Sequence, residues 1–198
     1  MEKIVNELEK RGFTVSRHAT AAQAREYLLR ALEGVGSVGI GGSVSVQQLD
    51  VAETLRARGT EVHWHWLSSD GGEDPRIRAM FSDAYLCSPN AVTRDGKLLF
   101  IDGNGNRVAA VCYGPKKVYL ICGVNKLSGD DADALRRARE CATAPNARRL
   151  GVNTPCAATG KCADCSYSGR LCRAVLTLER CPNSHPIEIL LVDEPLGY

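Results

Sequence analysis

The spacing of apolar positions changes several times along the chain, and each change marks a switch between helix and strand. EKIVNELEKR places Ile4, Val5 and Leu8 at helical spacing, with Gly12 as the stop. A short strand is expected over 13–15. Thr20 can cap a second helix, AAQAREYLLRALE, which Gly34 closes. The small-residue strand SVGIGG runs into Ser43 and a third helix, VSVQQLDVAETLRAR, stopped by Gly59. EVHWHW reads as a strand, GGED as a turn, and DPRIRAMFSDA as a short helix with Asp74 at its cap and Pro75 at its first position. AYLCS returns to strand.

In NAVTRDGKLLFIDGNGNRVAA two β-runs flank Asp95 and Gly96, a hairpin signal, and the glycine-rich turn DGNGNR leads into a short helix. KKVYLICG has the continuous apolar character of a buried strand. DDADALRRAREC reads as a helix with acids first and bases later, as the helix dipole favours. IEILLVD supplies a last strand. Strands alternating with helices predict an α/β fold on a mostly parallel sheet. The 198 residues suit one domain, with 155–181 as a cysteine-rich insertion before the last strand.

Charge adds little, since 25 basic residues face 23 acidic ones for a net +2. That balance argues against a nucleic-acid partner, and the low aromatic content against a single-strand stacking platform. No run approaches the ~20 apolar residues of a membrane span. The first residues mix both charge signs without a signal-peptide core, so a cytoplasmic location is expected.

The nine cysteines change the picture. Cys87, Cys112, Cys122 and Cys141 are scattered, mostly in apolar stretches, as small buried side chains usually are. Five others fall between 156 and 181. Cys162 and Cys165 form a C-x-x-C pair that can bring two thiolates to one centre, and Cys156 and Cys172 complete a four-ligand set. One short pair with two longer arms favours an iron–sulfur cluster, a [4Fe-4S] centre, over zinc, which remains the alternative. Cys181 is a replacement ligand, though an unliganded thiol is the simpler reading. Lys161 and Arg170 can offset the thiolate charge.

Two glycine-rich turns offer ligand contacts. Gly41, Gly42 and Ser43 join a strand to a helix, where backbone amides can hold a phosphate or carboxylate; the alternative is close packing with Ser43 as a cap. In DGNGNR, Asp102 can act as a general base and Arg107 can clamp an anion, with Asn90 and Asn106 nearby in the sequence; turn chemistry explains the rest. His63 and His65 alternate with Trp64 and Trp66 and are read as sheet residues on one face. His18 and His185 carry no context.

These pieces together resemble the LUD domain, the lactate-utilisation protein family. The resemblance lies in GGSVSVQQL, NAVTRDGKLLFIDGNGNRVAAVCYGPKKVYLICGVNK, PCAATGKCADCSYSGRLC and the ending ILLVDEPLG, as a short stand-alone form with a C-terminal cysteine motif. It implies a Rossmann-like α/β fold similar to the ribose-phosphate isomerase and CoA-transferase superfamily, and places the loop at Gly41, Gly42 and Ser43 on a ligand cleft. It also implies association with iron–sulfur oxidoreductase subunits that oxidise lactate or a related 2-hydroxy acid. Three roles stay open: an electron-transfer or oxidoreductase component, an isomerase or acyl-transferase using Asp102 beside a structural metal, and a non-catalytic assembly or regulatory subunit. The expected ligand is small and carboxylated or phosphorylated, and a homo-oligomer is compatible with the sequence.

Overall fold

The computed structural model describes residues 1–67 and 72–198. In chain order the elements are α1 (Glu2–Lys10), β1 (Thr14–His18), α2 (Ala21–Ala31), β2 (Ser37–Ile40), α3 (Val44–Leu49), α4 (Ala52–Ala57) and β3 (Glu61–Trp64). Next come α5 (Pro75–Met80), β4 (Ala84–Cys87), β5 (Ala91–Thr93), β6 (Leu98–Asp102), α6 (Asn106–Cys112) and β7 (Lys117–Gly123). After β8 (Leu127–Ser128) and α7 (Asp131–Arg137), a π-helical stretch (Ala138–Thr143) continues into α8 (Ala144–Arg149). α9 (Pro155–Thr159), β9 (Ala174–Leu178) and β10 (Ile187–Val192) follow.

Local signals fixed many of these boundaries. The Thr20 side chain accepts from the Gln23 amide at 3.2 Å, and Asp74 caps α5 through the Arg76 amide at 2.9 Å. Gly96 turns the β5–β6 hairpin at φ +88°.

Among the described residues the main sheet has the order β1-β10-β7-β4-β2-β3, and every pairing in it is parallel. This is the expected α/β arrangement, a mostly parallel sheet flanked by helices. Alternation along β7 explains its apolar continuity. Tyr119 and Ile121 face the core under α2, α3 and α4, while Val118, Leu120 and Cys122 face α1, α6 and the second sheet. Gly39 has a different reason: a Cβ there would lie 2.2 Å from the Ala79 carbonyl, so its absence lets α5 lie against β2.

Four expectations need correction. The third helix is two, because Asp50 turns left-handed at φ 49° and the Arg25 guanidinium holds its carbonyl at 3.2 and 3.3 Å. The strand at EVHWHW ends at Trp64, so His65 and Trp66 leave the sheet. The helix from Asp131 does not end near Cys141. Its π-helical turns open the backbone ahead of Pro145, which then sits in the first turn of α8. Finally, β9 lies inside the segment read as a cysteine insertion and forms a second sheet, β8-β5-β6-β9, against one face of the first. The expected turn at GGED begins at Gly71, outside the described residues.

Candidate functional site

A cleft of about 450 Å³ opens beyond the carboxyl ends of β2, β4 and β7, where a parallel sheet leaves its crevice. It gathers Gly42 and Ser43, Asn90, and Asp102, Asn106 and Arg107, residues from three distant parts of the sequence. Gly41 lies just beneath. A Cβ there would sit 2.7 Å from the Tyr85 hydroxyl and 2.8 Å from Arg107 Cγ, so the glycine makes room for the Arg107 side chain.

Most of these side chains also hold the cleft together. Ser43 Oγ accepts from the Val46 amide at 3.3 Å and caps α3. Asp102 Oδ2 accepts from the backbone amides of Arg107 at 2.8 Å and Val108 at 3.3 Å, which makes the carboxylate the cap of α6. The Arg107 guanidinium donates to the carbonyls of Ser88 and Ile101 and to Asn90 Oδ1. Asn90 Oδ1 in turn accepts from the Ile101 amide at 2.8 Å. One polar network therefore joins the end of β4 to β6 and α6.

The lining is basic. Arg76, Arg107, Lys126 and Arg149 face a single lining side-chain carboxylate among the described residues, that of Asp102. Such a field draws in a small anion. Arg149 lies 4.6 Å over the Trp66 ring, and two of its nitrogens donate to Asn146 Oδ1. His65 lies beside Gly42, 3.3 Å from where a Cβ would be, and its buried Nδ1 has no hydrogen-bond partner. Burial, with Arg76 next, holds its pKa below the ordinary histidine value, so the imidazole is neutral at pH 7.

Lys126 is 4% exposed and donates to the main-chain oxygen of Tyr198, the last residue of the sequence, at 2.7 Å. Burial pulls its pKa down to about 7. Neither His65 nor Arg149 was singled out as a cleft residue by the sequence pattern. Lys126 carried one usable signal: it follows the long apolar strand β7 by three residues, at the end where ligand clefts form.

The cysteine segment closes the same cleft. Leu171, one residue before Cys172, is part of the lining, and its carbonyl lies 3.1 Å from a Cβ placed at Gly103. Arginines carry much of the segment's shape. Arg170 bonds the carbonyl of Cys165 at 2.8 Å, Cys172 Sγ at 3.1 Å and Asp164 at 2.8 Å. Asp164 is left-handed at φ 43°, and its amide points at Cys162 Sγ at 3.4 Å. Thr154 Oγ1 lies 3.2 Å from Cys156 Sγ.

The chemistry of this donor set fits a thiolate-bound metal, since a cation and an amide address the sulfurs. The sulfurs do not form a closed ligand set as arranged: among the described residues no three histidine, cysteine or carboxylate side chains group closely enough to hold a metal ion. Cys181 stands apart, packed beside Gly12 with its sulfur 3.8 Å from the His185 carbonyl.

The family described as LUD domain matches residues 1–192. No curated protein matches the chain at a significant level. Among solved structures, the chain is similar to a DUF162 family protein from Deinococcus radiodurans, with a TM-score of 0.55 at 12% identity. That similarity covers 96% of this chain and 94% of the other, and it bears on the fold alone.

Proposed function

The chain belongs to the LUD domain family, and from that membership and the cleft we propose that it is a cytoplasmic iron–sulfur component of 2-hydroxy acid oxidation, of the lactate-utilisation type. The observation that carries this reading is the shared wall: Leu171 ties the cysteine segment to a cleft whose lining is rich in cations. A small carboxylate is the ligand this lining suits, with Arg149 and Arg107 supplying the field. His65 is neutral and uncommitted, so it is the group placed to accept a substrate hydroxyl proton. Asp102 serves as the α6 cap in this reading.

Cys156, Cys162, Cys165 and Cys172 are the residues assigned to the metal. A [4Fe-4S] cluster held by these thiolates would supply single-electron transfer to a partner oxidoreductase subunit, whereas zinc, the alternative, would only brace the segment.

Anaerobic purification with metal and sulfide analysis tests the first half. Iron with acid-labile sulfide and a broad band near ~400 nm that bleaches on reduction is expected. Stoichiometric zinc without iron would overturn the cluster. Calorimetry with lactate and pyruvate tests the second half, and a flat titration with both overturns the carboxylate cleft.

A further inference from the structure

We propose that Arg170 is the positioning residue that sets the reduction potential of the metal site, by joining the two arms of the cysteine segment and hydrogen-bonding Cys172 Sγ. The proposal rests on the iron–sulfur reading above and assigns control of that site's electron affinity to one side chain.

The guanidinium is committed wholly to the cysteine segment. Its Nε–H is shared between Cys172 Sγ at 3.1 Å and the Cys172 carbonyl at 2.9 Å. One terminal nitrogen donates to the Cys165 carbonyl at 2.8 Å, and the other meets an Asp164 carboxylate oxygen at 2.8 Å. One side chain thus ties the C-x-x-C turn to the far arm of the ligand set. The planar fork of an arginine permits this, whereas a lysine ammonium is a single point of charge. The Arg170 side chain is 26% exposed, so water competes little for these bonds.

The neighbouring cations are placed differently. Arg173 turns its guanidinium to the carbonyls of Arg170 and Ser168, and Arg148 turns to the carbonyl of Ala157. Lys161 adjoins Cys162 but is exposed. Among the described residues Arg170 is the one cation hydrogen-bonded to a cysteine sulfur. Asp164, 71% exposed, offsets part of its charge from the solvent side.

The consequence follows from charge. Reduction adds one electron and no proton and breaks no bond, so the site gains one negative charge. An N–H donor and a fixed positive charge hold an electron-rich sulfur more strongly, and therefore favour the reduced state over the oxidised one. Water and salt screen an exposed cation such as Lys161, which makes its influence smaller.

The experiment is a redox titration of the full chain, purified anaerobically, with dithionite supplying the electrons and absorbance near ~400 nm reporting the reduced fraction. Arg170→Gln is expected to move the equilibrium about tenfold toward the oxidised state, which is about 59 mV for a one-electron couple. Lys161→Gln removes the same charge without touching a sulfur bond and should move it by less than about threefold. Asp164→Asn should move it the opposite way, toward the reduced state. That variant keeps the backbone, because asparagine tolerates the left-handed φ of 43°, so it decides the matter even where Arg170→Gln fails to assemble the site. A wild-type potential in Arg170→Gln, an equal shift in Lys161→Gln, or an unmoved potential in Asp164→Asn overturns the assignment of Arg170 and leaves the cluster standing. Stoichiometric zinc without iron in the wild-type chain overturns both.

Discussion

The backbone amide of Arg173 donates to the carbonyl of Asp102 at 3.0 Å, joining the end of the cysteine segment to the loop that lines the cleft. The bond continues the antiparallel β6–β9 ladder, in which Asp102 stands opposite Ala174. A change in the cysteine segment is therefore transmitted to the residue that caps α6, through a ladder that resists independent motion.

Asp102→Asn keeps an acceptor at the α6 N-terminus and removes the charge. It is expected to cost about 0.5–1.5 kcal/mol in urea unfolding. Pyruvate affinity should change by less than about threefold, since a cap acts on the fold more than on the ligand. A loss of ligand turnover with unchanged stability would instead give Asp102 a proton-transfer role.

Arg107→Met takes the guanidinium donor from the carbonyls of Ser88 and Ile101, while Asn90 Oδ1 keeps the Ile101 amide. Unfolding free energy should fall by about 2–4 kcal/mol, the range for two buried acceptors deprived of a charged donor. Lysine should not rescue it, because an ammonium cannot span the same acceptors. Gly41→Ala should reproduce part of the defect by pushing on Arg107 Cγ, and Gly34→Ala, where nothing lies within 4 Å, should cost only about 1 kcal/mol for its positive φ. Equal losses at the two glycines would remove the steric argument.

Lys126 makes stability depend on pH in a defined direction. Its folded pKa is about 7 against 10.5 for the free side chain, so the unfolded chain holds more protons between those values. The penalty for burying the charge is full below about pH 7 and is relieved as pH rises toward 10.5. Lys126→Met should therefore stabilise the protein most at pH 6, on the order of a few kcal/mol. The gain should shrink steadily by pH 10. Urea titrations of both proteins at several pH values measure it, and a difference independent of pH would contradict the buried amine.

Cys181→Ser and Cys165→Ser separate the thiols. Cys181 packs beside Gly12, away from the C-x-x-C turn, so its serine variant should keep its full metal content after anaerobic purification. Cys165→Ser should lose most of it, as removal of one of four thiolate ligands does. Metal loss in the Cys181 variant alone would reassign the ligand set.

The parts of the protein legible in its sequence are those with nearby causes. Thr20, Asp74 with Pro75, and Asp95 with Gly96 set helix starts and a hairpin through bonds and φ values within a few residues. The run at Lys117–Gly123 declared a buried strand because both its faces are covered. The α/β alternation followed from these, and the two glycine-rich turns were visible as candidates without any sign that they meet. Their meeting, and much of the chemistry, is tertiary. Asp50 breaks a helix with Arg25 holding its carbonyl from another element. β9 forms because β6 offers an edge. The pKa values of His65 and Lys126 fall because surrounding elements exclude water from them. A helix cap is a local event that a few letters specify, whereas burial and electrostatic field sum over groups far apart in the chain, and only the folded arrangement fixes those sums.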